Sequence, residues 1–184
     1  LFEKFKNDII EEDIIRKNAK WVYEVRHNDK NSFDVIQHIS YQLYNLTKNT
    51  IHQKLPFVID NSNEISESEL LDINITKQNG EKDVNFNTTD KIVELNANSY
   101  CTINLTINNK YKYPAVQDTH NSAYSIIGLE IETIQPEDVS VKIITSFGGL
   151  LKSTSPTKIV TNYEKFDCIL KGQGIIYIVE NKKT

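Results

Sequence analysis

Histidines and acidic residues are the side chains of this chain best suited to acid–base chemistry or to metal binding. The histidines are His27, His38, His52 and His120. None of them forms an HxH or HxxxH pair, so no local spacing supports a metal site. Asp118 and His120 could supply an orienting carboxylate and a general base. They follow Pro114 in a polar stretch, however, where solvated loop residues are the expectation.

Other catalytic motifs are missing from the sequence. There is no GxSxG motif, and neither cysteine lies in the context of an activated nucleophile. Gly172-Gln173-Gly174 precedes a predicted strand instead of a helix, so it cannot present helix N-terminal amides to a phosphate. We therefore predict a protein that is not an enzyme, with no catalytic residue, no cofactor and no metal.

The two cysteines, Cys101 and Cys168, lie far apart in the chain and belong to no CxxC motif. Each stands in a β-like run. The favoured interpretation is two separate buried thiols, since free cysteine behaves as a small apolar residue. The alternative is a disulfide across the sheet, which an extracellular protein could carry.

Tyr111 and Tyr113 flank Lys112 near the end of a predicted strand. If exposed, two alternating tyrosines could form a surface that stacks on sugars or binds a protein. The alternative is a strand end whose tyrosines pack inward.

A hairpin is predicted over residues 70–89. Leu71, Ile73 and Ile75 alternate with polar residues before Asn79-Gly80, and Val84 and Phe86 alternate after it. Asn-Gly between alternating runs predicts a type I′ turn, which needs positive φ at both central residues. We predict that Ile75, Asn79, Gly80 and Phe86 contact a partner, a membrane or a neighbouring copy. The alternative is that the apolar face packs on the protein's own core.

The elements that position these residues are predicted to be mainly strands. Helical spacing suggests one or two N-terminal helices, over residues 1–20 and 32–48, although Ile39, Tyr41 and Leu43 also alternate as in a strand. The predicted organisation is an N-terminal helical segment, residues 1–54, packed on an antiparallel β domain, residues 55–184. The fold class is mainly β, as an antiparallel sandwich or an elongated sheet. The predicted strands are 92–95, 100–107, 125–134, 139–145, 158–163, 166–170 and 175–179.

Composition disfavours nucleic acid as a partner. The net charge is −4, and only two arginines, Arg16 and Arg26, are present to bind phosphates. No apolar run approaches the ~20 residues of a membrane-spanning helix. The chain begins with Leu1 and contains no Met. This suggests a processed precursor, a proteolytic fragment or a recombinant product.

Three segments resemble the β-rich half of aerolysin-like β-pore-forming toxins. They are Val58-Ile59-Asp60-Asn61-Ser62 through Leu71–Ile75, Glu94-Leu95-Asn96 through Leu105, and Tyr163–Phe166 through Val179. The resemblance implies an extracellular β-rich protein that oligomerises. That family has a long Ser/Thr-rich hairpin between the first two segments, where this chain offers only residues 77–91.

We expect an extracellular, processed β-rich protein that acts by binding or by self-assembly, as a toxin-like protein would. The alternative is a structural capsid-type subunit cut from a viral polyprotein, and a hydrolytic enzyme ranks third. The expected partners are a protein or further copies of this chain, with a membrane surface or a glycan as further options. The expected location is extracellular, or on a virion or cell surface.

Overall fold

A computed structural model describes residues 12–29, 32–55, 65–83, 92–112, 115–146, 149–156 and 159–182 of the chain. Within these ranges the chain forms strands and connecting turns, and no helix is present. The prediction of a mainly β protein is confirmed.

The strands form three sheets. The large sheet contains β1 (Ile14–Asp29), β2 (Ser32–Asn45), β4 (Ile65–Lys77), β5 (Lys82–Asp83), β7 (Tyr100–Tyr111), β9 (Ile126–Ile134), β11 (Ser153–Pro156), β12 (Val160–Tyr163) and β13 (Phe166–Ile169). The small sheet contains β8 (Ala115–Asn121), β10 (Val139–Thr145) and β14 (Gly174–Asn181). A two-stranded ribbon pairs β3 (Ile51–Lys54) with β6 (Ile92–Leu95).

The strand order of the large sheet is β11-β12-β9-β1-β2-β7-β4-β5, and β13 also pairs with β9. The order of the small sheet is β10-β14-β8. One pair departs from the predicted antiparallel arrangement: β1 and β9 run parallel, with Arg16 opposite Ile126 and Glu24 opposite Ile134. Every pair formed wholly by strands after residue 55 is antiparallel.

The predicted helix over residues 32–48 is wrong. Those residues form β2, in which Phe33, Val35, Ile39, Tyr41 and Leu43 are buried on one face. The period of two prevails over the helical spacing because β1 and β7 supply hydrogen-bonding edges on both sides. The first predicted helix is also corrected from Ile14 onward, where β1 begins, and residues 1–11 lie outside the described residues.

The core lies between the large and the small sheet. Trp21 and Tyr23 of β1 face Tyr177 of β14 and His120 of β8, and all but His120 are at most 1% exposed. Large aromatic side chains bury about 150–250 Å² each, so this contact contributes much of the apolar burial between the layers. The opposite face of the large sheet points away from this core.

Candidate functional site

The connection between β4 and β5 is a tight turn at Asn79-Gly80, as the sequence indicates, but its type differs from the prediction. The Gly80 amide donates to the Lys77 carbonyl at 2.9 Å, and the Lys77 amide donates to the Glu81 carbonyl at 2.8 Å. Gly80 has φ of 85°, whereas Asn79 is not among the positive-φ residues. This is a type I turn followed by a left-handed glycine, not type I′.

A second turn, Asn96–Ser99, connects β6 to β7. Asn98 takes a left-handed conformation, with φ of 51°, which asparagine tolerates better than most residues. The buried Asn45 holds this turn in place. Its Nδ2 donates to the carbonyls of Leu95 at 3.1 Å and Asn96 at 2.9 Å. The turn is therefore anchored to the end of β2 by a side chain whose hydrogen bonds are satisfied.

A pocket of about 360 Å³ lies between these two turns. Its lining residues are Lys77, Gln78, Asn79, Glu94, Leu95, Asn96, Ser99, Tyr100 and Cys101, which offer both polar and apolar surface. The predicted contact residue Asn79 thus forms part of a pocket wall, and Gly80 shapes the same turn.

Tyr100 lines this pocket and stacks on Tyr44, the residue directly opposite on β2. Their ring centroids are 4.8 Å apart, with an angle of 27° between the planes. The Lys17 ammonium lies 4.4 Å from the centroid of the Tyr44 ring. The sequence analysis missed both tyrosines. Assigning residues 32–48 to a strand would have placed Tyr44 on the face opposite Leu43.

The rows of side chains that continue from this pair define what we call the outer face of the large sheet. On β2, β7 and β4 it comprises, in cross-strand register, Tyr44–Tyr100, Gln42–Thr102–Thr76, Ser40–Asn104–Asn74 and His38–Thr106–Asp72, and β1 borders it with Lys17 opposite Gln42 and Lys20 opposite Ser40. Asp72 carries the only permanent charge among the eleven residues on β2, β7 and β4, although 25% of the chain is charged. The outer face therefore consists largely of neutral hydrogen-bonding groups and two aromatic rings.

A shallower groove of about 200 Å³ lies farther along the outer face, with His38, Ser40, Asp72, Asn104 and Thr106 among its lining residues. Lys20, at its border, pairs with Glu132 at 2.8 Å. Pocket and groove thus lie along the same set of strands.

The other chemically interesting group is the interlayer cluster, which comprises Trp21, Tyr23, Gln37, Tyr111, Asp118, His120 and Tyr177. Asp118 accepts hydrogen bonds from Tyr111 and, at 2.9 Å, from Tyr177. The Tyr177 hydroxyl also accepts from Gln37 Nε2 at 3.2 Å. Burial, followed by the negative charge of Asp118, raises the pKa of Tyr111. These tyrosines are therefore neutral and donate to the half-buried carboxyl group of Asp118.

His120 belongs to the same cluster but has different partners. Its ring stacks on Trp21, with centroids 4.0 Å apart, and its Nδ1 lies 2.6 Å from the Tyr23 hydroxyl. The residue retains some exposure on the edge strand β8, but its ring is enclosed. Burial of the ring, with a smaller effect from the Arg16 charge, lowers the pKa of His120 to about 3. The imidazole is neutral at pH 7.

These positions correct two expectations. Asp118 and His120 belong to strand β8 and point into the interlayer cluster, whereas a solvated loop was expected. Tyr111 is 2% exposed, so it packs inward and offers no exposed stacking surface. Tyr113 lies outside the described residues.

The remaining candidate residues are placed as follows. Ile75 is 1% exposed and belongs to the core, and Phe86 lies outside the described residues. Cys101 and Cys168 are both free thiols. Cys168 lies on β13 and Cys101 on β7, and strands β9, β1 and β2 lie between these two strands. At about 4.8 Å between neighbouring strands, the two cysteines are much farther apart than the ~7 Å Cα separation that a disulfide tolerates. The cross-sheet disulfide is therefore wrong.

Within the described ranges, no group of three or more His, Cys, Asp or Glu side chains could hold a metal ion. The same residues contain no helix that is long and apolar enough to cross a membrane.

Comparison with known proteins gives a likeness of fold only. No family model matches the chain, and no curated protein matches it. A crystal structure from Legionella pneumophila subsp. pneumophila str. Philadelphia 1, provisionally named a nutrient-binding protein, aligns with a TM-score of 0.56 and 8% identity over 91% of this chain and 67% of that chain. A crystal structure from Parabacteroides distasonis ATCC 8503, provisionally named a protease, aligns with a TM-score of 0.52 and 9% identity over 91% of this chain.

This chain spans 40% of the length of the Parabacteroides protein. At these identities the alignments establish a shared β architecture and nothing about activity. The resemblance to aerolysin-like toxins stays a prediction.

Proposed function

We propose that this chain is a non-catalytic binding module whose ligand is a neutral glycan, bound along the outer face from the Tyr100 pocket toward the His38 groove. The observation that carries the proposal is the stacked pair Tyr44–Tyr100 beside a pocket that offers both polar and apolar surface. A sugar ring combines an apolar C–H face with a rim of hydroxyls. Aromatic rings match the first, and amide and hydroxyl side chains match the second.

The charge of the outer face favours a neutral ligand. Beyond Asp72, its rows on β2, β7 and β4 consist of uncharged side chains. Most of the charged residues around them are already paired: Lys20 with Glu132 at 2.8 Å, Lys77 with Glu81 at 3.4 Å, Glu94 with His52 at 3.3 Å and Glu24 with Arg26 at 2.6 Å. Phosphate ligands need clustered lysine or arginine side chains, which these rows do not provide. Ser40, Gln42, Asn74, Thr102 and Asn104 can each exchange hydrogen bonds with hydroxyl groups, which both donate and accept.

The site is largely formed before a ligand binds. Asn45 fixes the β6–β7 turn, and the backbone bonds between Lys77, Gly80 and Glu81 fix the β4–β5 turn. A preformed site loses little conformational freedom on binding. From Tyr100 to Thr106 strand β7 extends about 20 Å at ~3.4 Å per residue, which is long enough for several sugar units.

The interlayer cluster supports a structural role over catalysis. Asp118 is bonded to two tyrosines and His120 to a third, so the two residues have separate partners and do not form a base with its orienter. Their position between the two sheets also separates them from the outer face. Glycan binding is in keeping with the expected extracellular or cell-surface location.

Native affinity electrophoresis tests the proposal. The purified chain migrates through gels that contain a soluble neutral polysaccharide, with a mixed-linkage β-glucan, a xylan, a mannan and a starch glucan in separate gels. We expect at least one of them to retard the chain, and Tyr100→Ala to abolish the retardation. Tyr100→Phe keeps the stacking ring and should largely retain it. Asn181→Ala, which removes an exposed amide on β14, is the control for an unrelated polar surface.

Two results would overturn the proposal. One is unretarded migration in all four gels. The other is retardation that Tyr100→Ala leaves unchanged while its unfolding curve shows a folded protein. Retention on an anionic polysaccharide alone, abolished by salt, would indicate a charged ligand and would also contradict the neutral site.

A further inference from the structure

Strand β8 forms one end of the small sheet. It pairs with β14 along one side, from Ala115 opposite Glu180 to Asn121 opposite Gly174. Within the described part of the chain, no strand pairs with its other side. Half of the backbone amides and carbonyls of an edge strand point away from its neighbour and are available to another strand.

Proteins usually protect such edges, and the described edges at the other ends of the two larger sheets carry features that discourage strand addition. On the other end of the small sheet, the segment at Gly149–Leu151 bonds to β10: the Leu151 amide donates to the Ile143 carbonyl at 2.9 Å. In the large sheet, β5 covers only Ile75 and Thr76 of β4, so the rest of β4 is an edge in the described residues. That part of β4 carries the exposed acidic residues Glu67, Glu69 and Asp72 and two register irregularities. At the other end of the sheet, β11 has four residues and includes Pro156. Short edges and proline both prevent strand addition.

Strand β8 lacks these protections. It has seven residues, no proline and no lysine. Its exposed side chains are Ala115, Gln117, Thr119 and Asn121, all of them uncharged. Asp118 and His120 point inward and already have partners in the interlayer cluster. An uncharged, regular edge of this length is a template for another strand.

We propose that β8 pairs with β8 of a second copy of this chain, antiparallel and about a two-fold axis, to join two small sheets into one six-stranded sheet. A two-fold axis perpendicular to the sheet places residues of the same face opposite each other. The axis must therefore pass midway between one residue of β8 and the same residue of the second copy. The choice of that central residue sets the register of the whole pair.

A register centred on Thr119 places no like charges opposite each other. It places Asp118 opposite His120 of the partner subunit, Gln117 opposite Asn121 of the partner subunit, and Thr119 opposite its own copy. Hydroxyl and amide pairs of this kind are favourable across strands, whereas like charges directly opposite each other are unfavourable. A register centred on Asp118 would place the two carboxylates opposite each other. A second copy of β8 in the Thr119-centred register thus meets no like charge and pairs amide with amide and hydroxyl with hydroxyl.

Sedimentation velocity over a range of protein concentrations, with charge variants at the axis, tests this dimer. Thr119→Lys and Thr119→Glu each place two like charges opposite each other, so each variant alone should be a monomer. A mixture of the two should restore the dimer, because the opposite charges then face each other. Asn181→Lys, an exposed position on β14 of the same sheet, should leave the dimer unchanged.

Hydrogen exchange of the wild type gives a second measurement that needs no variant. Outward amides of residues 117–121 should exchange more slowly at high concentration and faster on dilution. A wild type that sediments as a monomer at every concentration would overturn the proposal. A dimer that persists in both Thr119 variants, or a mixture of the variants that stays monomeric, would show that β8 is not the interface. These readouts are independent of glycan binding.

Discussion

The Tyr23 hydroxyl and Nδ1 of His120 are 2.6 Å apart, and this contact joins the large sheet to the small one. The two residues are distant in sequence, and the His120 ring also stacks on Trp21. Because the imidazole is neutral, Nδ1 can accept a hydrogen bond from the Tyr23 hydroxyl, and both groups have a partner inside the core.

Tyr23→Phe should destabilise the fold by about 1–3 kcal/mol, since it leaves a buried ring nitrogen without its partner. The measurement is urea-induced unfolding followed by tryptophan fluorescence, as Trp21 is the single tryptophan. Tyr44→Phe, on the outer face, serves as the matched control and should change the free energy of unfolding by less than about 0.5 kcal/mol. Equal losses in both variants would contradict the role assigned to the Tyr23–His120 bond.

His120 makes stability depend on pH in a defined window. Its pKa is about 3 in the folded chain, below the ordinary value near 6.5 that applies when the chain is unfolded. Below pH ~6.5 the unfolded chain binds a proton that the folded chain does not, so this stability is present above that pH. It falls as the pH drops toward 3, by at most about 1.4 kcal/mol per pH unit.

The free energies of unfolding of the wild type and of His120→Phe, measured from pH 7 to pH 4, check this dependence. The variant should show a shallower slope, whatever its absolute stability. Parallel curves for the two proteins would show that His120 is not the group responsible.

Gly174→Ala should be strongly destabilising. A Cβ at this position would lie 1.9 Å from the His120 carbonyl oxygen, which is backbone and cannot rotate away. Overpacking of this kind costs about 1–3 kcal/mol, and sometimes more. Gly80→Ala is a useful comparison because nothing lies within 4 Å of its Cβ and only the positive φ opposes it. Thermal unfolding should show the larger decrease in Tm for Gly174→Ala.

Asn45→Ala should affect both stability and the proposed site. Asn45 is 1% exposed, and its side chain bonds to the carbonyls of Asn49, Leu95 and Asn96. Each buried carbonyl that loses its donor lowers the free energy of unfolding by about 1–3 kcal/mol in the least favourable case. Asn45→Asp keeps the size and the acceptor oxygens but removes the donors, so it should be nearly as damaging. Denaturant unfolding measures this loss, and crystallography of either variant should show the Asn96–Ser99 turn displaced.

Local pattern in the sequence was sufficient for many strands. The predicted bounds of residues 92–95 and 139–145 coincide with β6 and β10, because alternating side chains and turn residues agree there. The Asn79-Gly80 turn was predictable for the same reason. Its type was not, because the left-handed conformation falls on Gly80 alone and the loop is one residue longer than the type I′ turn would allow.

The rest depended on contacts between residues distant in sequence. Strand β8 looks polar in sequence because Asp118 and His120 alternate with exposed residues. Their inward orientation depends on distant partners: Tyr111 and Tyr177 for Asp118, and Tyr23 and Trp21 for His120. Residues 32–45 had both helical and strand periodicity, and pairing with β1 and β7 decided between them. Tyr44 and Tyr100 meet only once that pairing exists. Local periodicity thus determined which apolar residues are buried in the strands with a clear alternation, whereas the partners that bury them, the inward polar residues and the surfaces left over for binding were decided by the tertiary structure.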